Sequence, residues 1–210
     1  NLVSLYSKSM TVSKECISIF KKSIEDYHIL DFVDQEFRNP FSKNEVFKKN
    51  IYKKSWIDTV QWHLEDIIRK PTIDPYKALK IKRRIDKSNQ DRTDMVEAID
   101  EYFFSKFSHV KIIDGFNINT ETPAWAIDRL SILELKIFHM DIEANRPSAD
   151  QKHRLSCFNK LELLKLQRKN LSKAIDQLIE NISKGKIKAL TYKQMKMYND
   201  DKLNPELYKD

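Results

Sequence analysis

Ile85-Asp-Lys-Ser-Asn-Gln-Asp-Arg-Thr-Asp-Met-Val-Glu-Ala-Ile-Asp100 is the stretch on which the reading of this chain turns. Ile81, Ile85, Val96, Ile99 and Phe103 recur at steps of three, four or their multiples, the spacing of one helical face. Between Ile85 and Val96 the same face carries Asn89 and Arg92, and no residue from Asp86 to Asp94 is apolar. The spacing predicts an unbroken helix whose apolar seam turns polar for two turns. Either that half of the helix leaves the core, or the core holds a polar pocket there. We take the second as the working expectation, with Asn89 and Arg92 turned inward toward His63 and Arg129.

Working outward, helical patterns fill most of the chain. Val12, Cys16, Ile19, Ile24, Tyr27 and Leu30 mark a first amphipathic helix over about 11–30. A second covers about 43–69, with Ile57, Val60, Leu64, Ile67 and Ile68 as its stripe and a candidate break near Asn50; Pro71 and Pro75 stop it. Asp74-Pro75 and Thr122-Pro123 each read as an N-cap followed by a first-turn proline, opening helices to about Phe104 and Glu143. The region from Ala124 to Glu143 is apolar almost all round, so it belongs at the centre of a bundle. Residues 110–113 suggest a short extended piece within the 105–120 connection. Ser148 reads as the cap of a last long helix to about Ser183, with Gly185 in the usual place after a C-terminus. Only Arg168 interrupts its seam of Leu155, Phe158, Leu161, Leu164, Leu171, Ile175, Leu178 and Ile182. At 1.5 Å per residue that helix spans roughly 50 Å, long enough to overhang or to pair with a second copy.

Composition agrees. The 210 residues contain 2 Gly and 6 Pro, and 33% are charged, which favours helices over a turn-rich β architecture. The only glycines, Gly115 and Gly185, exclude a phosphate-binding glycine loop and a dinucleotide fingerprint. Cys16 and Cys157 form no disulfide pattern or CxxC, no signal peptide is visible in the first ten residues, and no apolar run spans a membrane. Because the first residue is not Met, a short leader is not excluded. These features predict a soluble, cytoplasmic protein. The fold expected is an all-α, single-domain bundle of five to six helices: a lead-in over 1–10, the bundle over 11–185, and a segment over 186–210 whose Tyr192, Met195, Met197, Tyr198 and Tyr208 dock on it.

Net charge is +7, and residues 152–188, with 10 Lys/Arg against 3 Asp/Glu, account for all of it. Such a basic helix presents either a solvated face or a site for an acidic partner. Nucleic-acid binding is disfavoured, because aromatics are few there and no groove-reading motif is present.

Four strings give the chain a relative: Trp56-Ile-Asp-Thr-Val-Gln-Trp-His-Leu-Glu-Asp-Ile-Ile-Arg69, Lys82-Arg-Arg-Ile-Asp-Lys-Ser-Asn-Gln-Asp-Arg-Thr-Asp94, Asn119-Thr-Glu-Thr-Pro-Ala-Trp-Ala-Ile-Asp-Arg-Leu-Ser-Ile-Leu133 continuing to Lys136 and His139-Met140, and Tyr192-Lys-Gln-Met-Lys-Met-Tyr-Asn-Asp200 followed by Leu203-Asn-Pro205. Over roughly 13–208 the chain resembles the bacterial domain-of-unknown-function family numbered forty-two fifty-four. The resemblance implies a source of the Bacteroides and Flavobacterium type and a gene neighbourhood of envelope-glycan functions. It implies no established activity.

The candidate site residues lie on the second, third and fourth helices. His63 and Asp66 share a face, while Glu65 and Arg69 are spaced to pair with each other. Asp86, Asn89, Thr93 and Glu97 line one side of the third helix, with Arg92 in its seam; the fourth adds Asp128, Arg129, Lys136 and His139. If these helices pack side by side, His63, Asp66, Asp86, Asn89, Arg92, Glu97, Asp128, Arg129 and Lys136 converge. Carboxylates with a histidine suit a divalent metal such as Mg or Mn. Arg92, Arg129 and Lys136 suit a phosphate-bearing ligand. The competing reading is a buried ion-pair network with no ligand, since buried charges must find partners.

Glu65-Asp66 followed by Arg69, then Glu97-Ala-Ile-Asp100, is similar in order to the acidic EExxE and ExxD sets of all-helical MazG-type nucleotide pyrophosphatases. Arg69 stands where the third acid belongs, which removes a metal ligand. His139 with Glu143, and His153 with Cys157, are further one-turn pairs, more commonly helix-surface contacts than sites. Three functions follow: a ligand-binding or accessory protein in envelope-glycan assembly with a pocket for a phosphate-bearing or sugar ligand, a metal-dependent phosphohydrolase using the same residues, or an adaptor whose basic C-terminal helix binds another protein or a second copy.

Overall fold

The caps set where the helices begin. In a computed structural model describing residues 10–195, 197 and 200–209, Asp74 accepts a hydrogen bond from the Lys77 N–H (2.9 Å) and Thr122 one from the Trp125 N–H (3.3 Å), each with proline in the first turn. They open α3 (Pro75–Phe107) and α4 (Pro123–Asn145). Before them lie α1 (Val12–His28) and α2 (Val46–Ile68), and α2 runs unbroken through Asn50. After them come α5 (Gln151–Ser183) and the short α6 (Pro205–Tyr208). The cap of α5 is Asp150, not Ser148: its carboxylate accepts from the His153 N–H at 2.7 Å, while Ser148 sits in the turn after Pro147. Among the described residues there is no strand, so the architecture is an all-α bundle.

The apolar stripes meet where the spacing requires. Phe20 and Tyr27 of α1, Ile51 and Tyr52 of α2, Val96 and Ile99 of α3, Ile127 and Leu130 of α4 and Ile175 of α5 form one buried cluster. Leu64, Ile81 and Ile85 extend it between α2 and α3; Leu133, Ile137 and Leu161 extend it between α4 and α5. α4 is buried along most of its length, as its sequence demands. Arg168, the one break in the α5 seam, reaches buried Glu134 across the α4–α5 contact at 3.3 Å.

The first half of α5 is covered on one side only. Cys157 and Leu161 are buried, whereas Leu155, Phe158, Leu163 and Leu166 are more than half exposed. At its far end Gly185 takes φ +69°, and a Cβ there would lie 2.2 Å from the Lys111 carbonyl oxygen. Glycine permits that crossing, which Ile113 N–H to Gly185 O and Asn117 N–H to Lys186 O fasten at 3.1 and 2.8 Å. Residues 110–113 therefore lie along the end of α5 without forming a strand. Of the following segment, the Tyr192 hydroxyl reaches the Asn119 carbonyl and the Gln194 N–H reaches Glu97, both at 3.4 Å. Met195, Met197 and Tyr208 are exposed; Tyr198 and residues 1–9 lie outside the described residues. Among the described residues no helix is long and apolar enough to cross a membrane.

Candidate functional site

Lys54, Asp58, Gln61, Trp62, Glu65, Asp66 and Arg69 recur along α2 at steps of one turn, so they run down one side of it. That side faces Ser88, Asn89 and Arg92 of α3 and Asp128 and Ser131 of α4. The polar turns of α3 point inward. Asn89 accepts from the Gln61 amide (2.8 Å), and the Ser88 hydroxyl donates to the other end of Gln61 (2.9 Å). One turn on, Arg92 donates through Nε to Asp58 at 2.7 Å and through Nη2 to Asp128 at 3.0 Å.

Lys54 completes this group. Its side chain is fully buried; the ammonium binds Asp58 and, at 2.6 Å, Asp128. The Ser131 hydroxyl donates to Asp58 at 2.6 Å. Two cations and two carboxylates thus form a closed, neutral set in which each carboxylate meets both cations. Burial opposes the charge of Asp128, but Lys54 and Arg92 outweigh it and hold its carboxyl below the ordinary range. Burial likewise opposes Arg92, and Asp58 and Asp128 reverse the sign, raising its pKa. Desolvating four charges costs several kcal/mol each, so this set persists only because the partners are this close.

Above it opens a cleft of about 330 Å³, lined by Asp58, Gln61, Trp62, Glu65, Asp66, Arg69, Arg92 and Ile132. Arg69 pairs with Glu65 on the rim. Asp66 is exposed and enters none of the ion pairs among the described residues. A wider depression of about 640 Å³ lies on the other side of Ile132, lined in part by Glu121, Asp128, Arg129, Lys136, Gln167 and Asn170.

The sequence-named residues are therefore divided. Asn89, Arg92 and Asp128 converge between the helices, and Asp66 stands at the rim of the first cleft. Arg129, exposed, pairs with Glu121 at 2.7 Å; Lys136 is exposed beside it. Asp86 pairs with Lys82 on the outer side of α3, and Glu97 faces the C-terminal segment. His63 leaves the cleft altogether and meets His28 and His139 on the other side of α2. Sequence reasoning missed Lys54, Asp58 and Ser131. Part of the signal was present: Lys54 and Asp58 lie one turn apart on α2, but that spacing equally describes a surface pair.

Several alternative constellations are not assembled. Asp100 accepts from the Thr122 hydroxyl (2.7 Å) and the Ala124 N–H (3.2 Å), closing the start of α4 away from Glu65 and Asp66. Glu143 binds His153 at 2.9 Å rather than His139. Cys157 also approaches His153, but at the same Nε2 atom that Glu143 occupies. An imidazole relay needs its two nitrogens on opposite partners, so this trio is not a nucleophile–base pair.

Residues 48–190 match the model of a family described as a protein of unknown function, DUF4254, and the chain belongs to that family. The matched span contains the ion-pair set and the cleft; α1 lies outside it. No curated protein and no solved structure matches the chain.

Proposed function

We propose that this member of the DUF4254 family is a cytoplasmic ligand-binding or accessory protein, and that its α2–α3–α4 cleft takes a sugar carrying a phosphate, in keeping with a role in envelope-glycan assembly. The observation that carries this reading is the make-up of the cleft. Its floor, Asp58 and Arg92, is already neutralised and fixed, while its wall is the indole of Trp62 and its rim holds Asp66 and the Arg69–Glu65 pair. An indole wall with carboxylates beside it suits a sugar ring and its hydroxyls. Arg69, exposed and able to exchange Glu65 for a new anion, suits the phosphate. Arg92 is committed to two carboxylates and preorganises the floor.

A thermal-shift series tests it. Nucleotide sugars and sugar phosphates raise the melting temperature, and free inorganic phosphate does so less, since ligands stabilise the folded state. Asp66→Ala and Arg69→Ala, both exposed, lower that response by roughly tenfold in affinity while leaving the unliganded melting temperature nearly unchanged. No shift with any of these ligands, or a shift unaffected by both variants, refutes the reading.

A second reading has its own support in α5. The basic face that carries the net charge adjoins exposed Leu155, Phe158, Leu163 and Leu166, which fits an acidic partner with an apolar strip. Pull-down by an acidic amphipathic helix, lost in Phe158→Asp/Leu166→Asp, is the outcome that supports it.

A further inference from the structure

On the face of α2 opposite the cleft, three helices each contribute one imidazole to one point. His28 ends α1, and His63 and His139 lie near the C-terminal ends of α2 and α4; one nitrogen from each comes within 4.8 Å of the others. His28 Nε2 and His63 Nε2 are 3.2 Å apart. Asp31 Oδ1 stands 3.9 Å from the first and 3.7 Å from the second. From these positions we infer that His28, His63, His139 and Asp31 form a binding site for a divalent transition metal of the zinc class.

Four features separate this cluster from ordinary aromatic packing. First, the tautomer of His28 is fixed. Its Nδ1 lies 2.6 Å from the Ile24 carbonyl, which only accepts, so Nδ1 carries the hydrogen and the Nε2 lone pair faces the cluster, where it accepts from His63 Nε2–H, a hydrogen bond that a metal would replace. A backbone carbonyl on the far nitrogen is the usual support of a metal-bound histidine. Second, His139 Nε2 is buried with no hydrogen-bond partner among the described residues. Third, the rings are held in place: Tyr27 stacks on His63 at 5.1 Å, and Trp62 lies parallel to His139 at 4.8 Å. Fourth, Asp31 adopts φ +50°, the left-handed region that asparagine and aspartate tolerate, with its N–H bonded to the Tyr27 carbonyl at 3.1 Å. That turn, immediately after α1, is what brings its carboxylate back over the two histidines.

The dimensions suit the ion. Ligands about 2.0–2.1 Å from a tetrahedral zinc are about 3.3 Å from one another. The His28–His63 separation of 3.2 Å already meets this, Asp31 lies 3.7 and 3.9 Å from the same two nitrogens, and the His139 nitrogen lies within 4.8 Å of them. Three imidazoles favour zinc, iron, cobalt, nickel or copper over magnesium, which prefers oxygen ligands and several waters. A bound ion ties α1 to α2 and α4. Its neighbour Trp62 is also the cleft wall, so the metal braces the indole on which the proposed ligand rests.

Isothermal titration of the full, chelator-treated chain with Zn²⁺ tests the site, with X-ray absorption at the zinc edge as the structural readout. One ion binds per chain, and the edge spectrum shows three imidazoles and one oxygen. Asp31→Ala, at an exposed position, weakens binding by roughly tenfold, and His63→Asn or His139→Ala by a hundredfold or more, in line with losses at metal ligands. Absence of stoichiometric binding overturns the proposal; so does a spectrum with fewer than two imidazoles or with a sulfur ligand. Unreduced affinity in Asp31→Ala together with His63→Asn overturns it too. Because the spectrum is taken on the native chain, a variant that fails to fold does not obscure the result. A failed sugar titration leaves this experiment untouched.

Discussion

Two polar clusters flank α2, and they differ in whether their groups are answered. On the α3–α4 side, Lys54, Asp58, Arg92 and Asp128 satisfy one another completely. On the α1–α4 side, His139 keeps a buried nitrogen with no hydrogen-bond partner among the described residues, and Asp31 stands near two imidazoles without closing on either. The first arrangement is complete as it stands, and a ligand can only rest on top of it. The second gains by adding one ion. A saturated network fixes structure, and a half-buried one with a group left unanswered marks where a partner belongs.

The sharpest way to break that contrast is to open the closed set. Asp58→Ala leaves Lys54 and Arg92 short of a counter-charge in a buried site, and should cost about 3–5 kcal/mol in urea unfolding. A loss below about 1 kcal/mol means water already screens these charges. Next comes Asp100, a buried carboxylate with hydrogen bonds but no ion pair among the described residues. Burial outweighs the Thr122 and Ala124 donors and pushes it up to about 6. Between its unfolded value near 4 and about 6, the folded chain holds the proton more tightly than the unfolded one. Its contribution therefore falls as pH rises through that window, by at most about 3 kcal/mol. Asp100→Asn removes this decline; identical stability profiles for variant and parent contradict the assignment.

His139→Leu replaces an unanswered group with an apolar one of similar size. Without metal, stability should stay within about 1 kcal/mol of the parent. The variant should lack the stabilisation of about 2.7 kcal/mol that zinc gives the parent at a hundred times its dissociation constant. A large loss without metal would show that His139 already has a partner. The smallest effect belongs to Asp86→Ala, on the exposed side of the same polar stretch. Its pair with Lys82 is a surface i,i+4 contact worth less than about 0.5 kcal/mol.

The sequence made the helices legible because caps and apolar spacing are local. Asp74 and Thr122 cap as their sequences require, and the seam through Asn89 and Arg92 offered two readings, an exposed half-helix or a polar interior, of which the second is found. What lay beyond reach was between helices. Lys54 and Asp58 sit at i and i+4, which suits a solvated surface pair as well as a buried one; only α3 and α4 decide. His28 reads as a basic residue favouring a helix C-terminus, and His139 as one polar position on an apolar helix. No periodicity links positions 28, 63 and 139, because their meeting is set by how three helices cross. Arg168 was the converse: its break in the α5 seam was visible, and its answer, Glu134, was not.

The crossing at Gly185 also has a temporal meaning. The loop from Ser108 to Thr120 is made while all of α4 and α5 are still to come, and its backbone partners, Gly185 and Lys186, arrive only after both. During translation the loop must wait, and α3 and α4 can associate without it. The 108–120 loop is thus closed late, by a backbone buckle at one end of the bundle that fastens only once a residue with no side chain lies against Lys111.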